Sequence, residues 1–457
     1  MSCQCEGIKE SISAPDRMVG EKEASFVVGR CCPLRRPTNL RATWEAASSF
    51  GESCDTREDD AMKIKNVFDL IFSMENLYGA LEDASRGRRY QSDVLDFNSD
   101  AWDNLKDLRE EVISGSYWIE KYYIFYIHEP KLRMIMSIAF KHRIVQWAIY
   151  RVVNPVLVPG YIEDSYGCIP GRGSLSAMKK LKYWLELVSR KEVESWFYLK
   201  LDISKYFYRV SHRILKKVLA KKIKDERLLE LLYGIIDCKH TPFGLPPGKK
   251  PEEVPLEERL FDVGMPIGNL LSQMFANIYL DMLDQFCKRV LGIRYYIRYM
   301  DDVIILSCDK VQLREWKDRI GEFLETELEL NLNNKTCIRP IGQGIEFVGY
   351  RVWADRVVLR KSTTLRIKRS LKGIRKLYEE GRMPLEKVTE IFTCYIGMLK
   401  HTNSQALIDK LYEDMVLIKG GSDEKEEKDE FVPMLPQEDW YLCYELYGVY
   451  GDMCMAQ

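Results

Sequence analysis

The stretch Tyr295-Tyr-Ile-Arg-Tyr-Met-Asp-Asp-Val-Ile-Ile-Leu306 sets two adjacent carboxylates, Asp301 and Asp302, inside an otherwise apolar and aromatic run. Residues 303–306 are β-branched or aliphatic and read as a buried strand, and residues 295–299 read as an aromatic-rich partner. Two acids between such strands belong at the tight turn of a β-hairpin, at one edge of a sheet. Neighbouring negative charges in a poorly solvated place are costly unless a cation offsets them. Mg2+ is the simplest offset, because it usually takes one or two carboxylates together with substrate phosphates. An Asp-Asp pair alone is more often a solvated turn, so the rest of the chain has to decide.

A second acid answers the first. Residues 197–203 read as another strand with Asp202 near its end, and Ile214, Val218, Leu219 and Ile223 then fall at helical spacing. Two-metal phosphoryl transfer needs carboxylates from separate strands to converge on ions roughly 3.5–4 Å apart. Asp202 and Asp301 can supply them. Phe207, five residues on, is either a ring that abuts the sugar of a nucleotide and crowds out a 2′-hydroxyl, or a core aromatic. Residues 122–136 look like two strands joined at 129–131, with Lys131 and Arg133 near the turn, where they either clamp a triphosphate or are solvated. The glycine-rich run 165–174 opens a helix and lets backbone approach a ligand, with Arg172 as a phosphate or base contact. Residues 264–273 run into a helix over 274–283, whose N-terminal amides suit a nucleotide or template.

The chain has 457 residues, enough for two to four domains, with 46% hydrophobic and 30% charged residues. Its net charge of -1 hides an asymmetry. Residues 419–457 hold three Lys against ten acids, which leaves 65 basic and 59 acidic residues in the remainder, a mildly basic body. No apolar run is long enough to span a bilayer, and the N-terminus lacks a signal pattern, so a cytoplasmic location is expected. The 13 cysteines are odd in number and scattered, which argues against a disulfide framework. Cys3, Cys5, Cys31, Cys32 and Cys54 form no Cys-x-x-Cys pair and have no nearby His, so a zinc site is not expected.

Residues 1–62 lack periodicity and read as an extension, disordered or partner-dependent. Val67, Leu70, Ile71, Met74, Leu77, Tyr78 and Leu81 fall at helical spacing, and residues 101–113, 141–151 and 313–328 read as further helices. Residues 237–262 are rich in Pro, Gly and charge, and read as a long loop. Residues 345–352 read as a hairpin. Residues 360–376 read as a basic helix with Leu365, Leu371 and Ile374 as its apolar stripe. Such a helix can track phosphates. Residues 419–457 form an acidic, aromatic tail.

Taken together, these boxes resemble the reverse transcriptases. Tyr299-Met-Asp-Asp302 is similar to their catalytic box and Asp202-Ile-Ser-Lys-Tyr-Phe207 to their first palm motif, in the same order, and the resemblance covers about residues 63–418. It implies an α+β, right-hand polymerase: fingers over 63–195, a palm with an antiparallel sheet over 196–355, and a helical thumb over 356–418. It implies a two-ion site of Mg2+, or alternatively Mn2+, at Asp202, Ile203, Asp301 and Asp302, with Asp202 and Asp301 as direct ligands. By the same resemblance Lys131 and Arg133 hold the triphosphate and Phe207 is the steric gate. Lys335 approaches the leaving pyrophosphate as a general acid. Phe347, Gly349 and Tyr350 lie near the primer end with Tyr299 and Met300, and Arg366, Lys368 and Arg369 face the primer–template.

Many relatives, retroviral and group II intron enzymes among them, have Gln where this chain has Ile267. The box Ile267-Gly-Asn-Leu-Leu-Ser-Gln273 is instead similar to that of diversity-generating retroelements, and it implies that Ile267, Gly268 and Gln273 border the nucleotide and that copying errs at template adenines. The implied partners are an RNA template, a DNA or RNA primer, dNTPs and a small basic accessory protein. Antiphage-defence and group II intron-like reverse transcriptases are the alternatives. A nucleic-acid-binding scaffold with a dormant palm is disfavoured because all three acids and Lys335 are present. A nucleotide cyclase would leave the basic helix and the 345–352 hairpin unexplained.

Overall fold

The computed structural model describes residues 63–127, 133–191, 195–238 and 240–415. The chain divides into two units, Met1–Cys54 and Asp55–Gln457, and all described residues lie in the second. The cysteine-rich start and the acidic tail lie outside them.

The first helices are α1 (Phe68–Ile71), α2 (Met74–Ser85), α3 (Ser92–Ser99) and α4 (Ala101–Ile113). The residues at helical spacing over 67–81 lie in two helices, and the run breaks at Ser73. Its extended backbone and its hydroxyl, which accepts from the Asn76 amide, start a new helix there. Strands β1 (Tyr123–Ile127) and β2 (Arg133–Ser137) pair antiparallel, as the sequence predicts. Helix α5 (Phe140–Leu157), strand β3 (Ser165–Tyr166) and α6 (Ser174–Ser189) lead to the central strand β4 (Phe197–Asp202). Then come α7 (Tyr206–Arg209), α8 (His212–Lys222), α9 (Glu226–Asp237) and α10 (Leu270–Gln285).

The hairpin of β5 (Tyr296–Tyr299) and β6 (Asp302–Ser307) follows, then α11 (Lys310–Leu328) and β7 (Cys337–Pro340). Strands β8 (Ile345–Phe347), β9 (Tyr350–Val352) and β10 (Val357–Leu359) form a small antiparallel sheet before α12 (Lys361–Glu379), α13 (Leu385–Leu399) and α14 (Gln405–Asp414).

The larger sheet has the order β3-β5-β6-β4-β7, with only the β3–β5 pair parallel. Successive side chains on a strand face opposite sides, and here both sides are buried. Leu199, Leu201, Val303 and Ile305 enter one core with α2, α5, α8, α9 and α10. Tyr198, Ile304 and Leu306 enter a second core with α6, the β8–β10 sheet and α12 to α14. A sheet covered on both faces explains the near-continuous apolar reading of residues 303–306. An unpaired charge inside such strands is costly, and the acids lie at the strand ends. The architecture is the right-hand polymerase fold. No helix among the described residues is long and apolar enough to cross a membrane.

Candidate active site

The turn between β5 and β6 contains only Met300 and Asp301, since Tyr299 pairs directly with Asp302. Asp202, the last residue of β4, is the cross-strand partner of Asp302. Such partners have Cα atoms about 4.5–5.5 Å apart, so the three acids, a hundred residues apart in sequence, meet at one end of the sheet. Met300 takes the left-handed conformation (φ 51°) that a tight hairpin turn requires.

The carboxylates are not equivalent. Lys200, on the same face as Asp202 and two residues before it, donates to Asp302 Oδ2 at 2.9 Å and to the Glu346 carbonyl on β8 at 2.8 Å. Asp302 is pushed up to about 6, first by burial. Lys200 partly opposes that rise, and the neighbouring carboxylates Asp301 and Asp202 add to it. Its other oxygen, Oδ1, is buried without a hydrogen-bond partner among the described residues. Among those residues no group of three His, Cys, Asp or Glu is gathered to hold a metal ion. The Lys200 ammonium thus engages Asp302 Oδ2. What remains is a pair, Asp202 and Asp301, of hard oxygen donors, which is the number of protein carboxylates that Mg2+ commonly uses beside substrate phosphates.

Two loops are laced onto this end of the sheet. The Asp202 backbone carbonyl accepts from the Asn333 amide at 2.7 Å, the Asp202 amide donates to Thr336 Oγ1 at 3.4 Å, and the Ser204 amide donates to the Asn331 carbonyl at 2.8 Å. This holds the loop that carries exposed Lys335 beside Asp202. Phe207, half-buried in α7, accepts at its carbonyl from the Met265 amide at 2.7 Å, and the Ile267 carbonyl accepts from Met136 on β2 at 3.0 Å. Gly268 has φ 110°, and a Cβ there would lie 3.0 Å from Ile135 Cγ2. The box at 264–273 is thereby wedged between Phe207 and β2. Its helix starts at Leu270 rather than at residue 274, so Gln273 sits in the first turn of α10. Lys131 lies outside the described residues, and Arg133 is described only as backbone, paired with Ile127.

Several expectations are corrected. Phe347 and Tyr350 are buried in the second core. The turn between them, Val348 and Gly349, has positive φ at both residues. Arg172 spends Nη1 on the Ile162 carbonyl at 2.8 Å, which ties down the glycine-rich turn. The buried stripe of α12 is Thr363, Ile367, Leu371 and Ile374, and Leu365 is exposed. Arg369 is exposed, while Arg366 and Lys368 are half-buried.

Two residues of the site carry no sequence signal of their own, Lys200 and Arg298. Arg298 is completely buried and pairs with equally buried Asp284. A lysine or arginine in an alternating strand reads as solvent-facing, and only the tertiary contacts show otherwise.

The fold and the site define a right-hand polymerase. Residues 127–352 match the family described as reverse transcriptase (RNA-dependent DNA polymerase). That segment is a reverse transcriptase domain, and the enzyme is an RNA-directed DNA polymerase. The chain is similar to Protein YkfC of Escherichia coli, with 29% identity over 55% of this chain and 72% of YkfC. It is also similar to the group II intron-encoded protein LtrA of Lactococcus lactis, with 21% identity over 65% of this chain and 57% of LtrA. Among solved structures it is similar to apo telomerase from Candida tropicalis truncated from its C-terminal domain, with TM-score 0.38 and 16% identity over 53% of this chain and 55% of that one.

Proposed function

We propose that this enzyme copies RNA into cDNA in the manner of a diversity-generating retroelement, extending a DNA or RNA primer with dNTPs and misreading template adenines. The observation that carries the chemistry is the register of Asp202 against Asp302 with Asp301 in the adjoining turn. The observation that favours the finer role is Ile267, which sits in a box hydrogen-bonded to β2 and next to Phe207.

Asp202, Asp301 and the Ile203 backbone would hold two Mg2+ ions, which when bound neutralise charge at the transferring phosphate and ease deprotonation of the primer 3′-hydroxyl. The chain's own residues do the rest by positioning. Lys131 and Arg133 clamp the triphosphate, and Phe207 closes the space that a 2′-hydroxyl would need. Arg172 borders the nucleotide through the loop it holds. Ile267, Gly268 and Gln273 border the templating base. Lys335 delivers a proton to the departing pyrophosphate. Tyr299, Met300 and the turn at Val348 and Gly349 seat the primer end. Arg366, Lys368 and Arg369 follow the duplex backbone by displacing counterions. In this reading residues 63–195 are fingers, 196–355 palm and 356–418 thumb, and a small basic protein with the template RNA completes the assembly.

A group II intron-like role is the second reading, supported by the similarity to LtrA. Sequencing the cDNA made from a defined RNA separates the two. Substitutions concentrated at template adenines are expected, and an even, low error spectrum would refute the retroelement role.

A further inference from the structure

Beneath the catalytic turn lies a fully buried polar network that the chemistry above does not use. We propose that Arg298, anchored by Asp284, is a positioning residue that fixes the Met300 carbonyl and thereby the direction in which Asp301 points. The proposal rests on the polymerase reading of Asp301.

A guanidinium has five N–H donors, and here each has an acceptor. Nε and Nη2 donate to the two carboxylate oxygens of Asp284, both at 2.7 Å. Nη2 also donates to Ser165 Oγ at 2.7 Å, and Nη1 donates to Asn277 Oδ1 at 3.3 Å and to the Met300 carbonyl at 3.0 Å. Asp284 is held in turn by the Tyr296 hydroxyl at 2.6 Å. Four of the five bonds therefore lock the guanidinium plane to α10 and β3, and the fifth grips the turn.

The other side of the turn is held as firmly. The Met300 amide donates to the Tyr166 carbonyl at 3.1 Å, and Asn277 Nδ2 donates to the Gly167 carbonyl at 2.9 Å. Gly167 comes so close that a Cβ there would lie 2.9 Å from Met300 Cγ. Met300 sits at φ 51°, a conformation that L-residues avoid and that persists only where the surroundings over-determine it. The surroundings here are Arg298, Tyr166 and Gly167. The two-residue parallel strand β3 explains itself in the same way, since its register sets Ser165 against Arg298 and Tyr166 against Tyr299.

A buried ion pair is weak evidence for a stabilising role, because well-packed apolar residues often replace one at no net loss. The planar fork, by contrast, cannot be reproduced by lysine. This separates positioning from stability. The double variant Arg298→Met with Asp284→Leu, and the single variant Arg298→Lys, are compared with wild type in three measurements: thermal melting, hydrogen exchange of the peptide over 299–303, and single-nucleotide incorporation.

The double variant is expected to melt below wild type, because it strands the Tyr296 hydroxyl, Ser165 and Asn277, but to stay folded and to lose protection over 299–303 by at least about tenfold, with α8 unchanged. Its maximal rate is expected to fall by about tenfold to a hundredfold, with the KM for dNTP within about twofold, as misplacement of a reacting group by an ångström does. Arg298→Lys is expected to do the same and keeps the question answerable if the double variant does not fold. A folded variant with wild-type exchange over 299–303 would overturn the proposal, as would protection lost uniformly across the domain. The exchange result does not require catalysis. A wild-type protein inactive on every template would therefore sink the polymerase reading while the bracing of the turn is still decided by exchange.

Discussion

Replacing Gly167 by alanine tests how tightly the catalytic turn is held. The added Cβ would lie 2.9 Å from Met300 Cγ, 3.2 Å from its Sδ and 3.4 Å from its amide nitrogen. Carbon atoms in ordinary contact stand about 3.5–4.0 Å apart, so Met300 must withdraw by roughly 0.6–1 Å. Gly167 also holds φ 90°, where an alanine costs about 1–2 kcal/mol. Urea unfolding should show a loss of that size plus the repacking of Met300, about 2–3 kcal/mol in all. A displacement near 1 Å at reacting groups lowers rate by about a hundredfold, so single-nucleotide incorporation at saturating dNTP should fall by tenfold or more. Gly87→Ala is the matched control, because Gly87 has φ 75° and no atom within 4 Å of a built Cβ. It should lose only the conformational part, about 1–2 kcal/mol, and keep full activity. Equal activity in the two alanine variants would refute the account of a turn fixed by close packing.

Phe207→Ala should admit ribonucleotides, reducing discrimination against rNTPs by about 10–200-fold, the range a shape-selective pocket commands; unchanged discrimination in competition assays would return Phe207 to the core. His142 is buried with Nδ1 3.0 Å from the Tyr117 hydroxyl and is pushed down to about 4, chiefly by burial and then by Lys141. The unfolded chain takes up that proton near pH 6.5, so the stabilisation is complete above 6.5 and drains away between 6.5 and 4. The loss reaches about 3 kcal/mol at roughly 1.4 kcal/mol per unit. His142→Gln should flatten that part of the pH-melting curve, and a curve parallel to wild type would refute the assignment. Asp225 caps α9 through the Leu228 amide and also accepts from the Val67 and Phe68 amides that begin α1. Asp225→Ala should cost about 2–4 kcal/mol in urea unfolding, a cap plus stranded amide donors, whereas a loss under 1 kcal/mol would mean that these amides find other partners.

The parts of the site legible in the sequence are the local ones. Short β-branched, aliphatic and aromatic runs gave β4, β5 and β6, and acids that close such runs have few other places to be than the strand ends. Pairing Asp202 with Asp302 needed only that the two strands lie side by side. What stayed hidden depends on distant partners. Arg298 lies inside the most telling stretch, yet its acceptors on Ser165, Asn277 and Asp284 come from other elements. Lys200 is likewise explained only by Asp302 and the Glu346 carbonyl. Phe347 and Tyr350 are set near the primer end only by the resemblance of the 345–352 hairpin, and their register in β8 and β9 turns their side chains into the second core. The early start of α10 had a sequence trace in Asn269, a favoured cap type, although its side chain makes no cap hydrogen bond.

The central claim is that carboxylates from β4 and the β5–β6 turn drive templated DNA synthesis. The most direct measurement is extension of an annealed DNA primer on an RNA template with dNTPs and Mg2+, run for wild type and for Asp301→Ala in parallel. The account predicts template-length cDNA from wild type, none from the variant, and equal binding of the primed template by both. Extension by the variant at the wild-type rate, or none by a wild-type protein that binds the duplex, would contradict it.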